Sequence, residues 1–276
     1  VNLSADCNTG VGYFALNANT TGGCNTAVGK STGAAITTGD DNTLLGNDAG
    51  KSITTSSQNV AIGSRALDAD TTGLGNVGIG RDALGSNIDG NTNVGIGTQT
   101  LAANTTADNN VAVGSYAMQG NSTGTKNVAM GYDALRANTT ASCNTAVGVE
   151  ALKANTTSDN NTAVGYKALF TQVADGARNT GIGLCALHGN TTGDDNVAVG
   201  YGAGDSNTTG SSNISVGSGA LATSTTASNN TAVGNLALFD STTGASNTAI
   251  GAETLANNTT GYSSVAVGNC ALVTST

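Results

Sequence analysis

The chain has 276 residues with 40 Gly, no Pro, no Trp, 3% aromatic and 10% charged residues, and a formal net charge of −9. An average globular domain carries more aromatics and more charge, and a negative balance argues against nucleic acid as a partner, since phosphate recognition needs a basic face. No apolar run approaches bilayer-spanning length and no signal peptide is visible, so membrane insertion by this segment is not expected.

The first pattern element opens at Asn8. Steps of seventeen lead to Asn25, Asn42, Asn59, Asn76, Asn93, Asn110, Asn127, Asn144 and Asn161. One extra residue falls within 169–178, and the series resumes at Asn179, Asn196, Asn213, Asn230, Asn247 and Ser264. All sixteen repeats carry Gly four residues after the start. A fixed period of this size determines the architecture before any local assignment, and strict periodicity without Pro argues against disorder. The unbroken pattern predicts one repeat domain over residues 1–276. It begins mid-pattern at Val1 and stops at Thr276 before the last repeat is complete, which reads as an excerpt or processed piece of something longer.

Numbered from its Asn, each repeat has Thr, Val or Ile at position 2, a small residue at position 3, and an aliphatic residue or Met at position 4. This alternation and the β-branched residues predict a strand with positions 2 and 4 on one side and position 3 on the other. Gly at position 5 suits a corner with positive φ. Ala and Leu at positions 8 and 9, as in Ala66-Leu67, predict a second short strand or extended arm, and the Asn-Thr-Thr stretch closes the coil. Seventeen residues cannot hold two helices with loops, and Gly, Thr and Asn are poor helix formers. The expected fold is therefore all-β, a parallel β-solenoid of sixteen 17-residue coils stacked about 4.8 Å apart.

Positions 2, 4 and 9 are expected to point inward, with the opening Asn side chains forming an axial ladder. The residues expected to carry the structure are Asn59, Val60, Ile62, Gly63 and Leu67, then Asn144, Val147, Gly148 and Leu152, then Asn196, Val199 and Gly200. One coil buries too little to offset the ordering of seventeen residues, so each coil needs its neighbours. Position 3 is small in fifteen repeats, Leu44 being the exception, and position 8 is Ala in thirteen and Thr in three. Two readings of these columns stand open: a smooth flank for close approach of another identical chain, or filling for a narrow interior.

Catalytic, cofactor and metal residues are not expected. The single histidine, His188, sits where other coils carry Asn17, Asp68, Arg136 or Lys153, and no second His makes a metal site. Asp40, Asp41, Asp194 and Asp195 fall in closing turns; a weak Ca²⁺ site is the alternative there, but the carboxylates do not recur in every coil and solvated charges are expected. Cys7 and Cys24 occupy the same place in adjacent coils, within disulfide range after some side-chain rotation; Cys143 shares their column, while Cys185 and Cys270 lie five coils apart. The Thr pairs raise ice binding as a rival function, weakened because adjacent residues point to opposite sides and only one rank faces out.

The phrase "NVAIGSRAL" from Asn59 to Leu67, and "SSVAVGNCAL" from Ser263 to Leu272, resemble the head repeats of YadA-like trimeric autotransporter adhesins. "NTAVGYKAL" from Asn161, with its Asn-Thr-Thr spacers, also resembles repeat regions of bacteriophage tail fibres. The resemblance covers residues 8–276. It implies a left-handed parallel β-roll assembled as a homotrimer and displayed at a cell surface or, alternatively, on a virion. The implied function is a non-enzymatic fibre segment, a rigid spacer or attachment head, whose partners are itself and a host-surface receptor or matrix ligand. The YadA-like repeat is typically shorter and lacks this Thr-rich spacer, so the outer loop is expected to be enlarged here.

Overall fold

A computed structural model describes residues 6–274. The chain divides into two compact units, Val1–Thr140 and Ala141–Thr276. Unit 1 holds eight three-residue strands: β1 Thr9–Val11, β2 Thr26–Val28, β3 Thr43–Leu45, β4 Val60–Ile62, β5 Val77–Ile79, β6 Val94–Ile96, β7 Val111–Val113 and β8 Val128–Met130. Unit 2 holds β9 Thr145–Val147, β10 Thr162–Val164, β11 Thr180–Ile182, β12 Val197–Val199, β13 Ile214–Val216, β14 Thr231–Val233, β15 Thr248–Ile250 and β16 Val265–Val267. No helix occurs among the described residues.

Within each unit, consecutive strands pair in parallel and each residue faces the matching letter of the neighbouring repeat. Val60 lies opposite Val77 and Ile62 opposite Ile79; Thr145 lies opposite Thr162 and Val147 opposite Val164. Register survives the insertion, since Thr162 faces Thr180 and Val164 faces Ile182, so the closing turn absorbs the extra residue. The described residues form a parallel β-solenoid of about fifteen to sixteen turns of about 17 residues. Axial backbone bonds continue beyond the strands: Gly63 N–H donates to Leu45 O (2.8 Å), Leu67 N–H to Ala83 O (3.0 Å) and Thr71 N–H to Ile88 O (3.0 Å).

Two expectations are corrected. The strands are inverted relative to the predicted facing: Ala61 is fully buried while Val60 and Ile62 are half-buried on the outside. The same holds in unit 2, where Ala146 and Ala198 are buried and Val147 and Val199 face out. The interior is filled by positions 3, 8 and 9, as in Ala61, Ala66 and Leu67, all at 0% exposure. Of the two readings of the small columns, the narrow interior is the one observed. Position 3 packs directly on the position-9 Leu of the preceding coil: a Cβ on Gly78 would lie 3.3 Å from Leu67 Cγ and one on Gly95 3.3 Å from Leu84 Cγ, so there is little room for a larger side chain. There is also no second strand. Positions 7, 9 and 17 sit in the left-handed region, as in Arg65 (φ 57°), Leu67 (φ 51°) and Gln58 (φ 62°), and residues there turn the chain instead of extending it.

In coils two and three the interior conserves volume where its pattern breaks. These coils carry Gly33 and Gly50 at position 9, where Leu is usual, and Ile36 and Ile53 at position 12, where Asn is usual. A Cβ on Gly33 would lie 3.0 Å from Ile36 Cδ1 and 2.9 Å from Leu44 Cδ1. One on Gly50 would lie 2.8 Å from Ile53 Cδ1 and 2.9 Å from Leu44 Cδ2. The isoleucines and the exceptional Leu44 thus occupy the space that two leucines vacate, and all three are fully buried.

Amides make up much of the remaining interior. Asn59 is buried; its Oδ1 accepts the Asn76 N–H (2.8 Å) and its Nδ2 donates to Gly73 O (3.0 Å). Asn196 repeats this, donating its N–H to Asn179 Oδ1 (2.9 Å) and its Nδ2 to Gly210 O (2.8 Å). The predicted ladder of opening asparagines is thus present, each rung combining bonds to backbone groups with direct amide contacts: Asn59 Nδ2 also donates to Asn42 Oδ1 (3.3 Å) and Asn196 Nδ2 to Asn179 Oδ1 (3.1 Å). A second amide-to-amide ladder runs at position 12, in the stretch expected only to close the coil: Asn104 Nδ2 donates to Asn87 Oδ1 (2.7 Å), Asn121 to Asn104 (3.0 Å) and Asn138 to Asn121 (2.7 Å). At the insertion Gln172 takes the place, its longer side chain reaching far enough to accept from Asn190 Nδ2 (3.3 Å).

This second ladder stops in unit 2 where Ser224 and Ser241 replace Asn. Asn207 Oδ1 and the Ser224 and Ser241 hydroxyls are buried without a protein partner among the described residues, a condition that costs about 1–3 kcal/mol per group when no water relieves it. Ser224→Asn is expected to give Asn207 its missing donor and stabilise unit 2 by about 1 kcal/mol. A raised urea midpoint checks this; an unchanged or lower one overturns it.

Candidate functional site

The inversion of the strands puts their largest aliphatic side chains outside. In β4–β8 both outward ranks are apolar: Val60 and Ile62, Val77 and Ile79, Val94 and Ile96, Val111 and Val113, Val128 and Met130. Five strands at about 4.8 Å spacing and two ranks about 7 Å apart make a flat patch about 19 Å long. Met130 is 45% exposed and Ile96 37%. In unit 2 the inner rank is mixed, with Thr145, Thr162, Thr180, Thr231 and Thr248 beside Val197, Ile214 and Val265, while the outer rank stays aliphatic from Val147 to Val267. Contiguous exposed apolar surface of this kind marks an interaction site on a soluble protein.

The residues expected to carry the structure fall into three groups. Asn59, Asn144 and Asn196 are buried ladder members, the Asn144 Oδ1 accepting the Asn161 N–H (2.8 Å). Gly63, Gly148 and Gly200 form the corners, with φ of 130°, 135° and 135°. Leu67 and Leu152 are core, at 0% exposure. Val60, Ile62, Val147 and Val199 belong to the outer face instead of the core.

No group of His, Cys, Asp and Glu able to hold a metal occurs among the described residues. His188 stacks on Phe170, ring centroids 5.3 Å apart and planes 3° from parallel, and its Nδ1 lies 3.9 Å from Asp205 Oδ1. Two turn carboxylates have a structural task. Asp40 Oδ1 accepts the Gly23 N–H (2.7 Å) and Asp194 Oδ1 the Ala177 N–H (2.7 Å), each capping the loop of the preceding coil. Asp195 takes a bidentate pair from Arg178 (2.6 and 2.9 Å), whose hydrogen bond holds the carboxyl below its ordinary range. Asp41 is exposed at position 17 with φ 57°.

Cys7 and Cys24 are exposed free thiols in the left-handed region, φ 61° and 55°. The Cys24 thiol pKa is raised by loss of solvent and by the neighbouring Cys7. The Thr pairs split as geometry requires. The first of each pair is tied axially, Thr20 Oγ1 donating to Thr37 O (2.9 Å) and Thr191 Oγ1 to Thr208 O (2.8 Å), while the second, as in Thr21, Thr106, Thr192 and Thr209, is exposed in a single rank.

Compared with family models, characterised proteins and solved structures, the chain matches none.

Proposed function

We propose that this chain is a non-enzymatic segment of an extracellular fibre, a rigid spacer or attachment head that assembles as a homotrimer through its outward aliphatic ranks. The observation that carries the reading is the patch of β4–β8, ten apolar side chains on a flat sheet face. Covering the exposed part of each is worth on the order of 1 kcal/mol or less, enough in sum to offset the cost of association. A strictly repeating flat face is matched best by another copy of itself, and three copies close such a contact without an open end. The sequence resemblance to YadA-like heads and to tail fibres points the same way, toward a cell surface or a virion. The ice-binding alternative has in its favour the exposed rank of second threonines, while the outward Thr residues of the strands are interrupted by Val197 and Ile214 and flanked by an aliphatic rank.

Native mass in solution tests the proposal. Three times the chain mass is expected, and Ile79→Asp, which changes only an outward side chain, is expected to reduce it to one. A wild-type monomer overturns the assembly, and a variant that still trimerises overturns the face.

A further inference from the structure

Unit 2 carries an open trough of about 490 Å³ on columns separate from the aliphatic ranks. It exists because position 7 is Gly202 with open space at its Cβ position, the next coil carries Gly219, over which Leu236 and Phe239 lean, and position 10 between Asp205 and Phe239 is only Ala222. The gap is about 10 Å long, two coil spacings. Its lining contains the Asp205 carboxylate, the rings of Tyr201 and Phe239, and no Lys or Arg. Among the described residues the basic neighbour of Asp205 is His188 at 3.9 Å, the outer limit of ion-pair contact.

We infer that this trough docks a single arginine side chain of a basic partner protein, its guanidinium paired with Asp205 and held against the aromatic rim of Tyr201 and Phe239. The chain shows the chemistry twice within itself. Arg65 on one coil grips Asp82 on the next with two bonds of 2.6 and 3.0 Å, and Arg178 grips Asp195 in the same way. Asp205 lacks such an arginine, and the cleared space beside it is open to solvent. A guanidinium is planar and weakly hydrated, matches a carboxylate bidentately and stacks on aromatic rings, where an ammonium offers only a point charge. The net charge of −9 draws a basic partner toward the surface. Burial raises the Asp205 carboxyl above its ordinary value and His188 only partly offsets this, as for a charge short of a counter-ion.

The test is an NMR titration of the full chain at pH 8 with N-acetyl-arginine amide, the lysine analogue and the uncharged citrulline analogue. Binding of the arginine compound on the order of millimolar is expected, because the site is half-open, and at least tenfold weaker binding of citrulline. Asp205→Asn is expected to lose the same tenfold. Gly202→Leu is expected to block the trough and keep the fold: a Cβ there meets nothing within 4 Å, and its φ of +59° is one that Cys185 and Leu236 adopt at the same position. Equal binding of arginine and citrulline, no binding of arginine, or unchanged binding by Asp205→Asn overturns the inference. These readouts are independent of native mass, so this site and the trimer can fail separately.

Discussion

Gly114→Ala is expected to destabilise unit 1 by about 3 kcal/mol or more, although the substitution adds one methyl group. Two effects combine. The φ of Gly114 is +129°, a region closed to L-residues, and strain of this kind costs about 1–3 kcal/mol. A Cβ would also stand 2.6 Å from Gly131 O, 2.7 Å from its carbonyl carbon and 3.2 Å from Tyr132 N, all backbone of the next coil. Those atoms cannot yield without parting the axial bonds, and such overpacking adds about 1–3 kcal/mol. The damage lies between two coils of a one-dimensional stack, where it divides the cooperative unit instead of loosening it locally. Gly202→Ala is the control: its φ is +59° and its Cβ has open space, so it should shift the urea midpoint little. Equal losses in the two variants would mean that general backbone entropy, not the corner, sets the cost.

The contrast between these glycines shows what the sequence reveals and what it hides. Gly at position 5 in every repeat announces a corner that no other residue can make, and the structure puts all sixteen at φ of 127–140°. The corners at positions 7, 9 and 17 are silent in the sequence, because the ordinary left-handed region at φ 50–65° accepts Leu, Arg, Asp or Cys at modest cost. A Leu at φ 51°, as in Leu67, carries no local signal. It was this hidden turn that made Ala66-Leu67 look like a second strand.

Strand facing was hidden for a different reason. Alternation separates Ala61 from Val60 and Ile62 without saying which side is inside, and the hydrophobic scale favours the larger pair. Volume decides instead, since Ala66, Leu67 and the Asn columns already fill the coil. That balance was legible in the pairing of Gly33 with Ile36 and of Gly50 with Ile53, each a lost Leu beside a gained Ile. The patch of β4–β8 follows only once this facing is known. The trough around Asp205 depends on Gly202 and Gly219 being neighbours along the stack, which the seventeen-residue period does predict.

Asp70→Asn is expected to stabilise unit 1 at neutral pH and to leave it unchanged in acid. Asp70 stands at position 12, between Ile53 and Asn87, as a carboxylic acid in a column otherwise built of amides and neutral side chains, and it is fully buried. It accepts the Gly73 N–H (2.9 Å), the Ser56 hydroxyl (3.2 Å) and, at the limit, Asn87 Nδ2 (3.5 Å). Each of these favours the anion, yet desolvation outweighs them and raises the pKa from 3.8 to about 7. Folding therefore prefers the protonated acid. That preference is complete below pH 3.8 and is lost as pH rises to about 7, where the buried group must ionise. A shift of this size corresponds to roughly 4 kcal/mol at full ionisation. An amide at this position keeps the acceptor for Gly73 and Asn87 and supplies a donor toward Ser56, with no charge to bury. Urea midpoints at pH 4, 6 and 8 should fall for the wild type relative to Asp70→Asn, the gap opening between pH 4 and 7 and then remaining constant. The exposed pair Arg178–Asp195 and the part-buried pair Lys153–Glu150, whose carboxyls are lowered, act in the opposite sense, present in both proteins and cancelling in the difference. Parallel midpoint curves for the two proteins would show that Asp70 is solvated or compensated in the folded chain, and the single acid in the amide ladder would then carry no pH dependence.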